Sequence, residues 1–261
     1  MDGAYAQDER PGGVHPVRPP PGEAAVVDRL RSARRDRGAV LLEGAHALKH
    51  ALRFGADIEV VATPDPAALE TLLSAVAPDV AAEVSHRAVH LGARAWERAV
   101  GRPLPSPAIA VARRPTATAA DVLSTSGVVV VLEDPRHLGN LGAVVRVAAA
   151  AAAGGVLVVG EADPWHPIAV RGAAGLQFAL PVARTDTLAD TDRQLVALDG
   201  QGEPLAPGSI PPDAALIVGT ERGGLSEALL RRAALRVAIP MRDGVASLNL
   251  ATAVAVALYA R

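Results

Sequence analysis

The feature that most limits what this chain can fold into is a series of short apolar segments, each ending at a polar or glycine turn. Residues 128–132, 155–159, 196–198, 214–218 and 236–239 are dominated by apolar, often β-branched side chains. They give way at 133, 160, 199, 219 and 240 to Glu-Asp-Pro, Gly, Asp-Gly, Gly-Thr-Glu and Pro. A continuous apolar run without alternation marks a strand buried on both faces, as in a parallel sheet covered by helices. Such sheets bind ligands outside the carboxyl ends of their strands. A helix-covered parallel sheet with a ligand site at the strand ends is therefore expected.

Three of these ends carry the most chemistry. After 214–218 comes Gly219-Thr220-Glu221-Arg222-Gly223-Gly224-Leu225, a glycine-rich turn that opens a helix and leaves backbone amides free to bind. The strand at 236–239 stops at Pro240, and the loop 241–246 leads through Ser247-Leu248-Asn249 into a long Ala/Val/Leu helix, with Ser247 the expected N-cap. The strand at 128–132 runs into the polar loop 133–137 and then a helix to Ala153. A dinucleotide fold needs Gly-x-Gly-x-x-Gly at that turn. Here Gly139 and Gly142 bracket an Asn, which removes the support for a nucleotide-dependent oxidoreductase. No Walker Gly-Lys-Ser/Thr is present, and His137 and His166 lack metal-ligand spacing with acids, so no metal is expected.

The 261 residues, half of them hydrophobic, allow a sizeable core in one large or two modest domains. The absence of cysteine excludes disulfides, thiolate metal sites and cysteine nucleophiles. No apolar run reaches the ~18 residues of a membrane span, and the N-terminus lacks the basic-then-apolar order of a signal peptide. A cytoplasmic protein without a membrane partner is expected. Net charge is −2, yet every basic residue except Lys49 is arginine. That bias fits forked phosphate contacts, but a GC-rich genome, which would also give many Ala, Gly and Pro, is the favoured cause.

Before the parallel sheet, residues 1–20 read as a disordered Pro/Gly-rich tail. A charged helix is expected at 26–37, with Arg29, Arg31, Arg34, Arg35 and Arg37 forming either a solvated face or an RNA-facing patch. Strands at 39–42, 58–62, 82–84 and 109–112 alternate with helices at 45–54, 69–76 and 94–100, giving a small α/β domain over 21–113. Residues 114–125 read as a linker and 126–261 as the second domain. Within it a strand at 180–182 and a helical stretch ending at Gln194 are expected.

Asn140-x-Gly142-Ala143-x-x-Arg146, Gly219-x-Glu221-x-x-Gly224-Leu225, and Ile239-Pro240-Met241 followed by Ser247-Leu248-Asn249 resemble, in order and spacing, the three signature motifs of the SpoU/TrmH-type RNA 2′-O-ribose methyltransferases. The likeness covers residues 126–261, and the N-terminal part, with Leu42-Glu43-Gly44, is similar to the substrate domain many members carry. The resemblance implies an α/β fold whose C-terminal parallel sheet, flanked by helices, is tied in a trefoil knot. It also implies S-adenosylmethionine as cofactor, ribosomal or transfer RNA as partner, and a homodimer. By the same resemblance Gly219, Ile239, Leu248, Met241 and Leu198 contact the cofactor, with Gly219 permitting close backbone approach.

The implied reaction carries a methyl group from a sulfonium to a ribose hydroxyl, which needs a proton acceptor or stabilisation of the developing oxyanion. The resemblance assigns this region to Arg146. A guanidinium stays charged at neutral pH, so its expected role is holding phosphate and stabilising alkoxide, with the proton acceptor left open. Asn140 and Asn249 are expected to position loop and hydroxyl, Glu221 to order the knot, and Ser247 to bond backbone or substrate. Departures at 243–246 and 250–252 bear on substrate choice. The alternative is a knotted RNA-binding module without catalysis, which would need neither Asn140 nor Arg146.

Overall fold

The computed structural model describes residues 22–219, 223–245 and 247–260. The expected tail at 1–20 and the candidate Glu221 lie outside the described residues. The N-terminal half contains α1 (Glu23–Ala33), β1 (Ala39–Glu43), α2 (Ala45–Arg53), β2 (Ile58–Thr63), α3 (Pro66–Val76), α4 (Pro78–Arg87), β3 (Ala88–His90), α5 (Ala93–Val100) and β4 (Ile109–Arg113). Its four strands lie in the order β1-β4-β2-β3, with β4 antiparallel to both neighbours and β2 parallel to β3. Strand alternation sorts the apolar residues. Val40 and Leu42 face α2, α3 and α4, whereas Ala39 and Leu41 face α1 and α5.

The strand expected at 82–84 does not exist; those residues lie inside α4. Pro78 occupies the first helical turn, where its missing N–H costs nothing, and Val80, Ala81 and Val84 fall on one buried face at helical spacing. Three apolar residues are too few to separate the two periods.

The C-terminal half continues with α6 (Ala119–Leu123), β5 (Val129–Glu133), α7 (Leu138–Ala150), β6 (Gly155–Val159), α8 (Pro167–Ala173), a 3₁₀ turn (Leu176–Ala179), β7 (Val182–Thr185), β8 (Leu195–Pro204), β9 (Ala215–Val218), α9 (Glu227–Arg232), β10 (Leu235–Ala238) and α10 (Leu250–Tyr259). Six strands in the order β10-β8-β9-β5-β6-β7 form a sheet in which every neighbouring pair is parallel. Helices α7, α8 and α10 cover one face; α6 and α9 cover the other. Val129, Val130, Val131 and Leu132 are at most 1% exposed, and burying each contributes about 1.5–3 kcal/mol.

Residues 114–125 are not a plain linker, because α6 forms within them. Thr118 and Asp121 make a reciprocal capping box, and Val122 is buried against the sheet. Arg193 then fixes this segment by donating to the carbonyls of Leu123 (2.6 Å), Gly127 (2.7 Å), Asp213 (3.0 Å) and Thr125. The helical stretch expected before Gln194 is also absent: β7 occupies 182–185 and a loop follows. Thr185 donates to the Thr187 carbonyl and Thr191 accepts from Arg193 N. Such local side-chain bonds compete with a helix.

The two sheets meet along a packed seam. α2 lies on the 3₁₀ turn and α8 on β1. Gly175 has φ +76°, and a Cβ there would sit 2.4 Å from the Ala47 carbonyl oxygen, so only glycine lets the chains approach this closely. His50 Nδ1 donates to the Ala174 carbonyl at 2.8 Å, and Arg114 forks onto Asp163 at 2.8 and 3.0 Å.

Candidate active site

The carboxyl ends of β8, β9 and β10 open on one edge of the parallel sheet, where the chain also enters α10. Between them lies a cleft of about 170 Å³. Leu198, Asp199 and Gly200 line it from β8, Val218 and Gly219 from the end of β9, and Ile239 and Met241 from the exit of β10. Gly224, Ser247, Leu248, Leu250 and Ala253 complete the wall. The five residues singled out for cofactor contact, Leu198, Gly219, Ile239, Met241 and Leu248, thus share one cleft with Ser247.

Local geometry explains the cleft's shape. β8 pairs with β10 at Val196 and Ala197, then again only at Glu203 and Pro204, so residues 198–202 bulge out of that ladder, while Leu198 still pairs with Val218 of β9. Gly202 permits this, since a Cβ there would lie 2.5 Å from the Arg236 carbonyl carbon. At Gly219 the close approach is of a different kind from the one expected. A Cβ there would fall 2.1 Å from the backbone of Gly224, so this glycine is needed where the chain folds back on itself.

The N-cap of α10 is Asn249, not Ser247. The Asn249 Oδ1 accepts from Ala251 N at 2.9 Å and Thr252 N at 3.4 Å, and the helix begins one residue later at Leu250. An asparagine caps as well as a serine. Its Nδ2 donates to Asn140 Oδ1 at 3.1 Å, joining the start of α10 to the first turn of α7. Two candidates 109 residues apart in sequence therefore touch.

α7 is held against α8 by missing side chains: a Cβ at Gly142 would lie 2.2 Å from the Ala169 carbonyl oxygen. One helical turn further on, Arg146 is exposed and has no hydrogen-bond or ion-pair partner among the described residues. It presents a full positive charge from the helix that carries Asn140.

Two acids absent from the expected set shape the site. Glu133, at the end of β5, accepts from Ser226 N at 2.7 Å, while the Ser226 hydroxyl caps α9 through Leu229 N. Asp199 is the only carboxylate among the described residues lining the cleft, with Arg236 at 3.8 Å. Both follow apolar strands directly, which is the signal that marks them.

A larger cleft, about 730 Å³, lies between α6 and the loops at 189–194 and 211–214. Its main cation, Arg193, is already committed to backbone carbonyls. No group of three or more potential metal ligands occurs among the described residues.

Residues 127–259 match the model of the SpoU rRNA methylase family. An uncharacterised tRNA/rRNA methyltransferase of Mycobacterium bovis is 36% identical over 178 residues, 63% of this chain and 62% of that protein. The chain thus spans somewhat under two thirds of that relative's length. The 23S rRNA (guanosine(2553)-2'-O)-methyltransferase RlmP of Bacillus subtilis is 27% identical over 227 residues, 84% of this chain and 86% of its own. The crystal structure of an AdoMet-bound rRNA methyltransferase from Sinorhizobium meliloti superposes with a TM-score of 0.69 at 25% identity, covering 90% of this chain and 93% of that one. With its three motifs gathered on a helix-flanked parallel sheet and its C-terminal half matched throughout, the chain belongs to the SpoU rRNA methylase family.

Proposed function

We propose that the protein methylates a ribose 2′-hydroxyl of ribosomal RNA, using S-adenosylmethionine held in the cleft between β8, β9, β10 and α10. The observation that carries this reading is the Asn249–Asn140 hydrogen bond, which couples the wall of that cleft to the helix bearing Arg146. The donor set suits the cofactor. Leu198, Val218, Ile239 and Leu248 offer apolar walls to a purine, and Asp199 offers a carboxylate to hydroxyls or positive charge. When bound, S-adenosylmethionine supplies an electrophilic methyl group on a sulfonium.

The chain's own residues do the rest. Arg146, exposed and without a side-chain partner among the described residues, holds the RNA phosphate beside the target ribose and stabilises negative charge developing on its oxygen. Because the guanidinium stays protonated, another group accepts the hydroxyl proton. Asn140, fixed by Asn249, orients the hydroxyl; Ser247 bonds backbone or substrate at the cleft rim; Glu221 is assigned the ordering of the knot.

In this reading residues 126–261 form a knotted catalytic domain and 21–113 an RNA-holding domain. The knot is supported by the path of the chain, since β10 lies at the sheet edge whereas α10 returns to pack on α7, which lies against β6 in the other half of the sheet. A homodimer is supported by exposed apolar side chains at Met241, Val245, Leu248, Val256 and Tyr259, around the cleft and along α10. No described helix is long and apolar enough to cross a membrane, which is compatible with action in the cytoplasm.

Calorimetric titration tests the cofactor site. Gly219 is unsuited to mutagenesis because its Cβ meets backbone, whereas a Cβ at Gly200 meets nothing within 4 Å. Wild-type protein is expected to bind S-adenosylmethionine and not NAD, and Gly200→Trp to abolish binding while remaining folded. Equal affinity in both proteins would remove the cofactor from this cleft.

A further inference from the structure

Where the two sheets meet, one carboxylate is surrounded by three guanidinium groups. The Glu43 side chain is only 6% exposed. It pairs directly with Arg102 from the loop after α5, lies 3.6 Å from Arg171 on α8 and 3.9 Å from Arg34 just beyond α1. Arg34 is further anchored by donating to the carbonyls of Ala99 (3.1 Å) and Val100 (2.8 Å) at the end of α5. Arg102 and Arg171 keep more than two fifths of their side chains in contact with solvent.

The charges do not balance. A buried carboxylate is satisfied by one well-placed cation, and gathering three leaves an excess of positive charge whose mutual repulsion disfavours the cluster. The amino end of α2 begins immediately after Glu43, with Gly44 as its N-cap and no side-chain carboxylate in its first turn. The helix dipole thus adds to the positive potential. An anion docking on the outer side of Arg102 and Arg171 would relieve the imbalance.

We propose that Arg102, Arg171 and Arg34, preorganised by the buried Glu43, form a phosphate-binding site at the seam between the two sheets that grips the RNA backbone. The identity of the anion rests on the RNA-methylation reading above. Glu43 is a positioning residue here, holding the arginines with their outer edges toward solvent. Arg171 immediately precedes Gly172, where a Cβ would lie 2.8 Å from the Gly139 carbonyl oxygen and 3.3 Å from Gly142 Cα. The site is therefore rigidly coupled to α7, the helix of Asn140 and Arg146. A strand held here bridges both halves of the molecule and enters the reaction site from the α8 side.

The test uses the full chain, protein-free 23S rRNA and a series of salt concentrations. Single-stranded phosphate contacts each contribute about 0.7 to the slope of log affinity against log salt. The Arg102→Gln/Arg171→Gln double variant is expected to lose about 0.7–1.4 of that slope and about tenfold in affinity at moderate salt. Its S-adenosylmethionine affinity should be unchanged, and Arg102→Lys/Arg171→Lys should recover most of the slope. A folded double variant with wild-type slope and affinity overturns the proposal. If the double variant does not fold, Arg171→Gln decides. Among the described residues that guanidinium's one ion pair is the 3.6 Å approach to Glu43, and its slope must fall for the site to stand. Methyl transfer is read separately: a wild-type protein that grips RNA through these arginines without methylating it refutes the enzymatic reading alone.

Discussion

Asn249 and Arg146 show how differently single residues serve this site. Asn249 does two jobs with its two amide atoms, since the oxygen caps α10 and the nitrogen bonds Asn140. Asn249→Asp keeps the acceptor and discards the donor. It is expected to leave the melting temperature nearly unchanged while slowing methyl transfer at least tenfold, whereas Asn249→Ala should also lose about 1 kcal/mol of stability. Equal destabilisation by both variants would mean that the cap is not what the oxygen provides. Arg146, by contrast, holds nothing together among the described residues. Arg146→Ala should leave stability and cofactor affinity intact and lower single-turnover methylation by about 10²–10³; a rate within threefold of wild type would deny it a role in the transition state. The sequence motifs pointed to both residues. They did not disclose that Asn249 replaces Ser247 as the cap, because both residue types cap equally well and only the backbone decides. Glu43 gave no sign of its arginines, whose positions at 34, 102 and 171 are brought together by tertiary packing alone.

At the scale of elements, legibility followed burial. β5, β6 and β9 could be read within a residue or so because strands buried on both faces leave uninterrupted β-branched runs. α4 and α6 could not: the first is too short in its apolar period, and the second lies in a Thr/Ala/Asp stretch with a capping box but only one buried apolar residue, Val122, behind it. Only residues 196–198 of β8 are legible as a strand, because its second half, beyond the bulge at 198–202, is polar and pairs only with the edge strand β10. Gly142 of the first motif is a packing device between α7 and α8, whereas Gly219 of the second lets the chain fold back onto Gly224. Gly142→Ala should push α7 off α8 and cost about 1–3 kcal/mol or more, given the 2.2 Å approach to the Ala169 carbonyl; urea unfolding would reveal it, and a neutral result would mean that α8 moves freely. Arg193→Ala should destabilise the C-terminal sheet by about 2–3 kcal/mol by orphaning the carbonyls around α6, with hydrogen exchange first rising in α6; unchanged exchange there would show that α6 is held by Val122 alone.

For the whole molecule, the alternation of strands and helices made the α/β class legible, while the docking of the two sheets was not, because it rests on contacts such as Gly175 against Ala47. His50 makes that seam sensitive to pH. Burial pushes its imidazole below the ordinary range, aided by Lys49, Arg53 and His46, and against the raising effect of its bond to the Ala174 carbonyl. A histidine with a lowered folded pKa takes up its proton more readily in the unfolded chain. Its contribution to stability is therefore complete above about pH 6.5 and is lost as pH falls through the lowered value. Melting of wild type should fall more steeply than that of His50→Asn between about pH 7 and pH 5, and parallel curves would remove His50 from the seam's titration. The central claim is methylation of a ribose oxygen, and the most direct measurement is the fate of the label after incubating the protein with ribosomal RNA and methyl-labelled S-adenosylmethionine. A 2′-O-methyl group blocks the neighbouring phosphodiester from alkaline cleavage. The expected result is label retained in an alkali-resistant dinucleotide, its rate of appearance lowered about 10²–10³-fold by Arg146→Ala; label released in mononucleotides, or none incorporated, would contradict it.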